Sequence, residues 1–106
     1  MKETALLVYC TVPDVSSAKN IAQLVVSRKL AACCNIISQV ESVYRWEGKV
    51  EEAKELLLLI KTTEKRYEQL EKEIKMVHPY TVPEIIAIPI GQASQAYLDW
   101  MIENVE

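Results

Sequence analysis

Four side chains in this 106-residue sequence can serve as soft-metal ligands or nucleophiles: Cys10, Cys33, Cys34 and the single histidine, His78, which lies in KMVHPYTVPE at 75–84. The sequence contains no GxSxG, no P-loop, no GxGxxG, no HExxH and no second histidine, so one imidazole would have to fill every base role. Nucleophilic catalysis is therefore hard to build. The smallest reactive set left is Cys10 with His78, enough for a thiolate or a soft-metal contact if the fold brings them together. Each member also has a purely structural account. Cys10 sits in a β-rich run, where cysteine serves as a small buried hydrophobe, and the same reading holds for Cys33 and Cys34. His78 stands at the end of a helical stripe, immediately before Pro79, where an imidazole can hydrogen-bond the last carbonyls. Lys61, Tyr80, Glu84, Tyr97 and Trp100 add a polar-aromatic set that would need the fold to gather it; alone it fixes no function.

These residues sit in a chain long enough for one domain, taken here as 1–106. Half the residues are hydrophobic and a quarter charged, with two glycines and four prolines, a composition that excludes disorder and low complexity. Net charge is −3 with Lys and Arg interspersed among acids, which argues against nucleic acid as a partner. The N-terminal apolar stretch is broken by Tyr9, Thr11 and Pro13, too short for a signal sequence or a membrane span. An odd number of cysteines with no CxxC pair argues against a disulfide framework and a zinc knuckle, so reduced thiols and a cytoplasmic location are expected.

The elements that must position the chemistry follow from periodicity. Residues 5 to 12 (ALLVYCTV) form a strand closed by Pro13, and Asp14 offers a cap to a helix whose Ala18, Ile21, Ala22, Val25 and Val26 recur at the helical period. Residues 31–47 read as a long strand, with the adjacent Ile36 and Ile37 suggesting a bulge. Glu47-Gly48-Lys49 makes a tight hairpin, and 50–62 returns as a second long strand. Thr63 is a cap for a helix carrying Tyr67, Leu70, Ile74 and Val77, which Pro79 stops. Residues 82–90 form a last strand confined to a sheet edge by Pro83 and Pro89, followed by a short helix that Ser94 can cap. The order is an α+β, ferredoxin-like βαββαβ with a short C-terminal helix and a long β2-β3 hairpin, in which strands one and three are central.

That topology carries its helices on one face, so each strand should alternate apolar and polar residues, yet 56–60 is apolar at every position. The terminal helix is too short to shield the second face, and each large side chain left in water forfeits ~1.5–3 kcal/mol. Other copies of the chain are the simplest cover, and the long hairpin offers edges for them to use.

KLAACCNI at 29–36, SVYRWEGKVEE at 42–52, LLLLIKTT at 56–63, HPYTVPEIIAIPI at 78–90 and YLDW at 97–100 together resemble the CutA family of divalent-cation tolerance proteins, in order and over nearly the whole chain. The resemblance implies a non-enzymatic, ferredoxin-like subunit of a tightly packed homotrimer. It also implies copper or another divalent cation as a weakly held ligand, with Cys10 and His78 as the metal residues. Some members carry a second histidine where this chain has Val77, which leaves two ligands where tight sites use three or four. In IGQASQAYLDW, where relatives more often place a glycine a few residues later, the loop before the last helix departs as well. Finally, the resemblance implies an intersubunit cleft lined by Trp46, Lys61, His78, Tyr80, Glu84, Tyr97 and Trp100. The alternative it leaves open is a signal-transducing or small-ligand-binding scaffold that uses this cleft. An acylphosphatase-like activity shares only the fold, and residues 11–17 lack the arginine it would need.

Overall fold

The structure, a computed structural model, describes residues 3–106. Its elements run β1 (Ala5–Val12), α1 (Val15–Ser27), β2 (Cys33–Trp46), β3 (Lys49–Thr63), α2 (Glu64–Val77), β4 (Ile85–Pro89) and α3 (Gln95–Glu103). The strands form one antiparallel sheet in the order β2-β3-β1-β4. The two strands richest in continuous apolar residues are the central ones, and the proline-bearing strand takes an edge, as expected for the split βαβ arrangement.

Strand pairing separates the two faces. Val8 lies opposite Ile60, Cys10 opposite Leu58 and Val12 opposite Leu56. These side chains meet Ala18, Ile21 and Val25 of α1 and Leu70 and Ile74 of α2 in the main core. The other parity sets Leu7 against Lys61, Tyr9 against Leu59 and Thr11 against Leu57, and continues into Ile86 and Ile88 of β4 and Ile37 of β2. This second face is the one the apolar run 56–60 leaves without a helix. Among the described residues only α3 seals a corner of it, through Met101 against Ala5 and Ala32. Ile86 and Ile88 stand 51% and 46% exposed on the chain by itself.

The β2-β3 hairpin closes with Trp46 paired to Lys49, and both intervening residues have positive φ, 49° at Glu47 and 80° at Gly48. A two-residue turn of that handedness matches the twist of the strands, and it makes glycine the fitting residue at 48. Asp14 caps α1 as expected, its carboxylate accepting from the Ser17 amide at 2.7 Å.

Four expectations shift. The irregularity in β2 falls between Ile37 and Val40, with Gln39 at φ 61°, rather than at Ile36-Ile37. Residues 82–84 stay out of β4, because Pro83 has no amide to donate and holds Val82 away from regular pairing. Residues 31, 32 and 47 lie outside β2, β3 runs one residue further at each end, from Lys49 to Thr63, and residue 90 lies past β4. Neither Thr63 nor Ser94 makes a side-chain cap bond, although each occupies the N-cap position.

Candidate ligand cleft

Pro79 ends α2 at Val77 and leaves His78 with extended backbone (φ −72°, ψ 135°), its amide closing the helix on Ile74 O at 2.8 Å. The side chain is buried, and both ring nitrogens are engaged. Nε2 lies 2.8 Å from Thr11 O, and Nδ1 accepts the Tyr80 amide proton at 3.0 Å. A carbonyl can only accept and an amide only donate, so this network assigns the proton to Nε2 and the lone pair to Nδ1.

Cys10 reaches the same carbonyl, its Sγ 3.9 Å from Thr11 O. The fold thus brings the two expected metal residues to one atom. Burial, reinforced by the nearby Cys34, Glu84 and Glu55, pushes the Cys10 thiol up to about 12, whereas ligation requires the thiolate. Neither histidine nitrogen has a free lone pair. Among the described residues no group of three or more His, Cys, Asp or Glu side chains is placed to hold a metal ion. A copper ion at this pair would have to displace the thiol proton and one of the imidazole's two hydrogen bonds, and would find two ligands there. Cys34 is likewise pushed up to about 12, chiefly by burial.

Next to this pair the polar groups open onto a cleft. Glu55 lies on β3 just beyond the end of β1, with the parity of Leu57, so it belongs to the face without helices. Its Oε2 accepts from the Tyr80 hydroxyl at 2.7 Å, and the Thr11 hydroxyl donates to Glu84 Oε1 at 3.3 Å. Burial first, then the Glu55 carboxylate, pushes the Tyr80 phenol up, which keeps its proton available for that bond. With Tyr44 and Trp46 from the hairpin stem, both carboxylates line a cleft of about 400 Å³. A neighbouring hollow of about 310 Å³ shares the two aromatics and adds Tyr80. A larger groove of about 500 Å³ runs along the β2 irregularity between Gln39 and Lys54; it has no aromatic wall and lies apart from the His78 network.

Of the seven expected cleft residues, His78 lies behind the cleft wall, bonded to Thr11 and Tyr80, and the other six fall into two groups. Trp46, Tyr80 and Glu84 share the region just described. Lys61 pairs with Leu7, four residues from Thr11 along β1 and so roughly 13 Å away. There it binds Asn35 Oδ1, and its ammonium lies 3.7 Å from Cys33 Sγ. Tyr97 and Trp100 pack on each other on α3, ring centres 5.5 Å apart, on the helix whose Met101 seals the Ala5–Ala32 corner. Glu55, Thr11 and Tyr44 join the cleft beyond the residues expected from the sequence. The usable signal was the acid abutting the LLLLI run in KELLLLI, at a position whose parity puts it on the open face.

Comparison with known proteins gives a consistent picture. The profile described as CutA1 divalent ion tolerance protein matches residues 6–104. The divalent-cation tolerance protein CutA of Thermus thermophilus is 48% identical over 104 residues, 98% of each chain. A solved structure described as divalent cation tolerance protein from the same organism superimposes with a TM-score of 0.94 at 47% identity, covering 96% of this chain and 99% of that one. The structure of a periplasmic divalent cation tolerance protein CutA from Archaeoglobus fulgidus gives 0.92 at 39% identity, covering 96% and 99%.

Proposed function

Since this chain belongs to the CutA1 divalent ion tolerance family, we propose that it acts as a non-enzymatic, homotrimeric binding protein of the cytoplasm whose ligand clefts form where subunits meet. The carrying observation is the helix-free sheet face, on which Leu7, Tyr9, Leu57, Leu59, Ile86 and Ile88 make a continuous apolar surface. A head-to-tail ring covers such a face by setting one end of each sheet against the opposite end of the next. The same contact gives the split cleft a reason. It joins Trp46, Tyr80 and Glu84 of one subunit to Lys61, Tyr97 and Trp100 of its neighbour, and so completes an aromatic site with convergent polar groups. A binding role rather than catalysis is supported by the one imidazole's being held at both nitrogens and by burial that favours the neutral form of the thiol beside it. Three free cysteines favour a reducing compartment. No helix among the described residues is long and apolar enough to cross a membrane.

Sedimentation of the wild type and of Ile86→Asp tests the assembly. Ile86 is half exposed on the protomer, so a charge there leaves the fold intact but buries an unpaired carboxylate in the interface. The wild type is expected as three chains per particle and the variant as a folded monomer. A wild type that is a folded monomer at micromolar concentration overturns the reading.

Copper at Cys10 and His78 is the second reading, favoured by their convergence on Thr11 O. Binding there requires the thiol to lose its proton and the imidazole to release a partner, so weak affinity is expected. Copper titration of the wild type, Cys10→Ser and His78→Ala should show loss in both variants, and equal binding in all three removes this reading.

A further inference from the structure

Cys33 and Lys61 face each other across the β2-β3 ladder as directly paired residues, so both side chains leave the sheet on its helix-free face. The Lys61 ammonium lies 3.7 Å from Cys33 Sγ and donates to Oδ1 of Asn35, two residues along β2 and on the same face. These contacts lie within one chain and follow from strand register, so they hold however much of that face neighbouring subunits cover. The other two cysteines are placed differently. Cys34 pairs with Ile60 and packs on the main core, because successive residues of a strand point to opposite faces, and its sulfur therefore points away from that of Cys33. Cys10 lies in the same core, and burial pushes both of these thiols up to about 12, which keeps them protonated and inert. A sulfur oxidised at Cys33 thus has no second thiol of its own chain to meet, while an amine is already in contact with it.

We propose that Cys33 and Lys61 are a modification site, at which a peroxide drives a reversible sulfur–nitrogen bridge that takes the lysine out of the ligand cleft. In the first step the Cys33 sulfur attacks one peroxide oxygen: an S–O bond forms, the O–O bond breaks, and the second oxygen leaves as water. Sulfur is oxidised by two electrons to the sulfenic acid. The Lys61 ammonium then gives a proton to water and its nitrogen attacks that sulfur, so that an S–N bond forms, the S–O bond breaks, and hydroxide leaves and is protonated. Peroxide is thereby reduced to two waters, and the bridge is two hydrogens lighter than the thiol and the amine. A small thiol reverses it by attacking the sulfur, which returns the amine and, after a second exchange, the Cys33 thiol. The bridge rests on register alone. Its consequence rests on the cleft reading above, in which Lys61 is the cation one subunit contributes to its neighbour's cleft, and a cleft that admits a ligand to Lys61 admits a molecule of two oxygen atoms to the sulfur beside it.

Treatment of the intact, reduced protein with hydrogen peroxide, followed by chymotryptic digestion and mass spectrometry, tests it. One linked pair of peptides is expected, the first holding Cys33 and the second Lys61, lighter by two hydrogens than the pair unlinked and released by dithiothreitol. Cys34→Ala should form the link as the wild type does. Cys33→Ser and Lys61→Arg should not. In Lys61→Arg, which keeps the positive charge but not the amine, Cys33 should run on to the sulfinic acid, which dithiothreitol does not reverse. A wild-type Cys33 that stays a thiol, that runs on to the sulfinic acid, or that ends in a disulfide within or between chains overturns the proposal. Sedimentation of the peroxide-treated samples keeps the bridge and the cleft apart. A bridge formed in a monomer upholds the cross-link and sinks the intersubunit cleft, whereas a trimer without the bridge sinks the cross-link alone.

Discussion

Replacing His78 with alanine should destabilise the protein by about 3–5 kcal/mol, a large share of the ~5–15 kcal/mol that a domain of this size possesses. The imidazole joins two backbone groups on different elements, accepting from Tyr80 N–H and donating to Thr11 O. Its removal leaves a buried acceptor, costing roughly 1–3 kcal/mol, and a part-buried donor that water can reach, costing about 1 kcal/mol, and opens a cavity that adds ~1 kcal/mol more. Two conservative variants divide the effect. Asparagine places an oxygen near the position of Nδ1 and so retains the Tyr80 bond but not the Thr11 bond, whereas glutamine reaches toward Thr11 and abandons Tyr80. Each should lose about half of what alanine loses. Urea unfolding at one fixed protein concentration measures the total, the concentration being held because assembly adds to apparent stability. Exchange of the Tyr80 amide proton reads the bond itself: protection should persist in His78→Asn and collapse in His78→Gln and His78→Ala. A loss below about 0.5 kcal/mol in His78→Ala, with Tyr80 still protected, refutes the view that the histidine ties the end of α2 to β1.

The Cys10 thiol gives a pH-dependent test. Its folded value of about 12 lies above the 9.0 of an unperturbed thiol, so its contribution is whole below pH 9 and is lost as pH rises toward 12, by ~1.4 kcal/mol per pH unit. The urea midpoint of Cys10→Ala should therefore fall less steeply between pH 9 and 10.5 than that of the wild type, and parallel slopes refute the assignment. At the hairpin tip, Glu47 holds φ 49°, a conformation asparagine tolerates better. Glu47→Asn should stabilise the hairpin by a few tenths to about 1 kcal/mol, seen as slower amide exchange in residues 43–50.

Much of this architecture is legible in the chain because it is written in side-chain hydrophobicity. The continuous runs ALLV and LLLLI mark the central strands, and Pro83 and Pro89 mark the edge. The β2 irregularity was displaced by two residues for the opposite reason. It is a backbone event at Gln39, flanked by Ser38 and Val40, and nothing in those side chains reports a positive φ. Ile36 and Ile37 are adjacent simply because both sheet faces need apolar residues there. The candidate site was half legible. Aromatic and charged types in HPYTVPE and YRWEG point to the cleft, but only strand register shows that Lys61 lies opposite Leu7 while Thr11 lies opposite Leu57. Glu55 is not legible in the chain, because a lone acid beside an apolar run has the pattern of an ordinary solvated strand end, and its hydrogen-bond partner Tyr80 is twenty-five residues away.

Register also explains why the histidine matters to a cleft it does not line. Thr11 takes part twice, its carbonyl accepting from His78 Nε2 and its hydroxyl donating to Glu84. Tyr80 also takes part twice, its amide donating to His78 Nδ1 and its hydroxyl to Glu55. Both carboxylates of the cleft are thus oriented by residues whose backbones the imidazole fixes. Coupling of this kind predicts that His78→Ala loosens the Tyr80 hydroxyl bond to Glu55, read from the NMR signals of the Tyr80 ring, and that His78→Asn, which keeps the Tyr80 amide bond, retains more of that order than His78→Gln. The reverse order would mean that Glu55 is held by β3 alone and that the histidine serves only to end its helix.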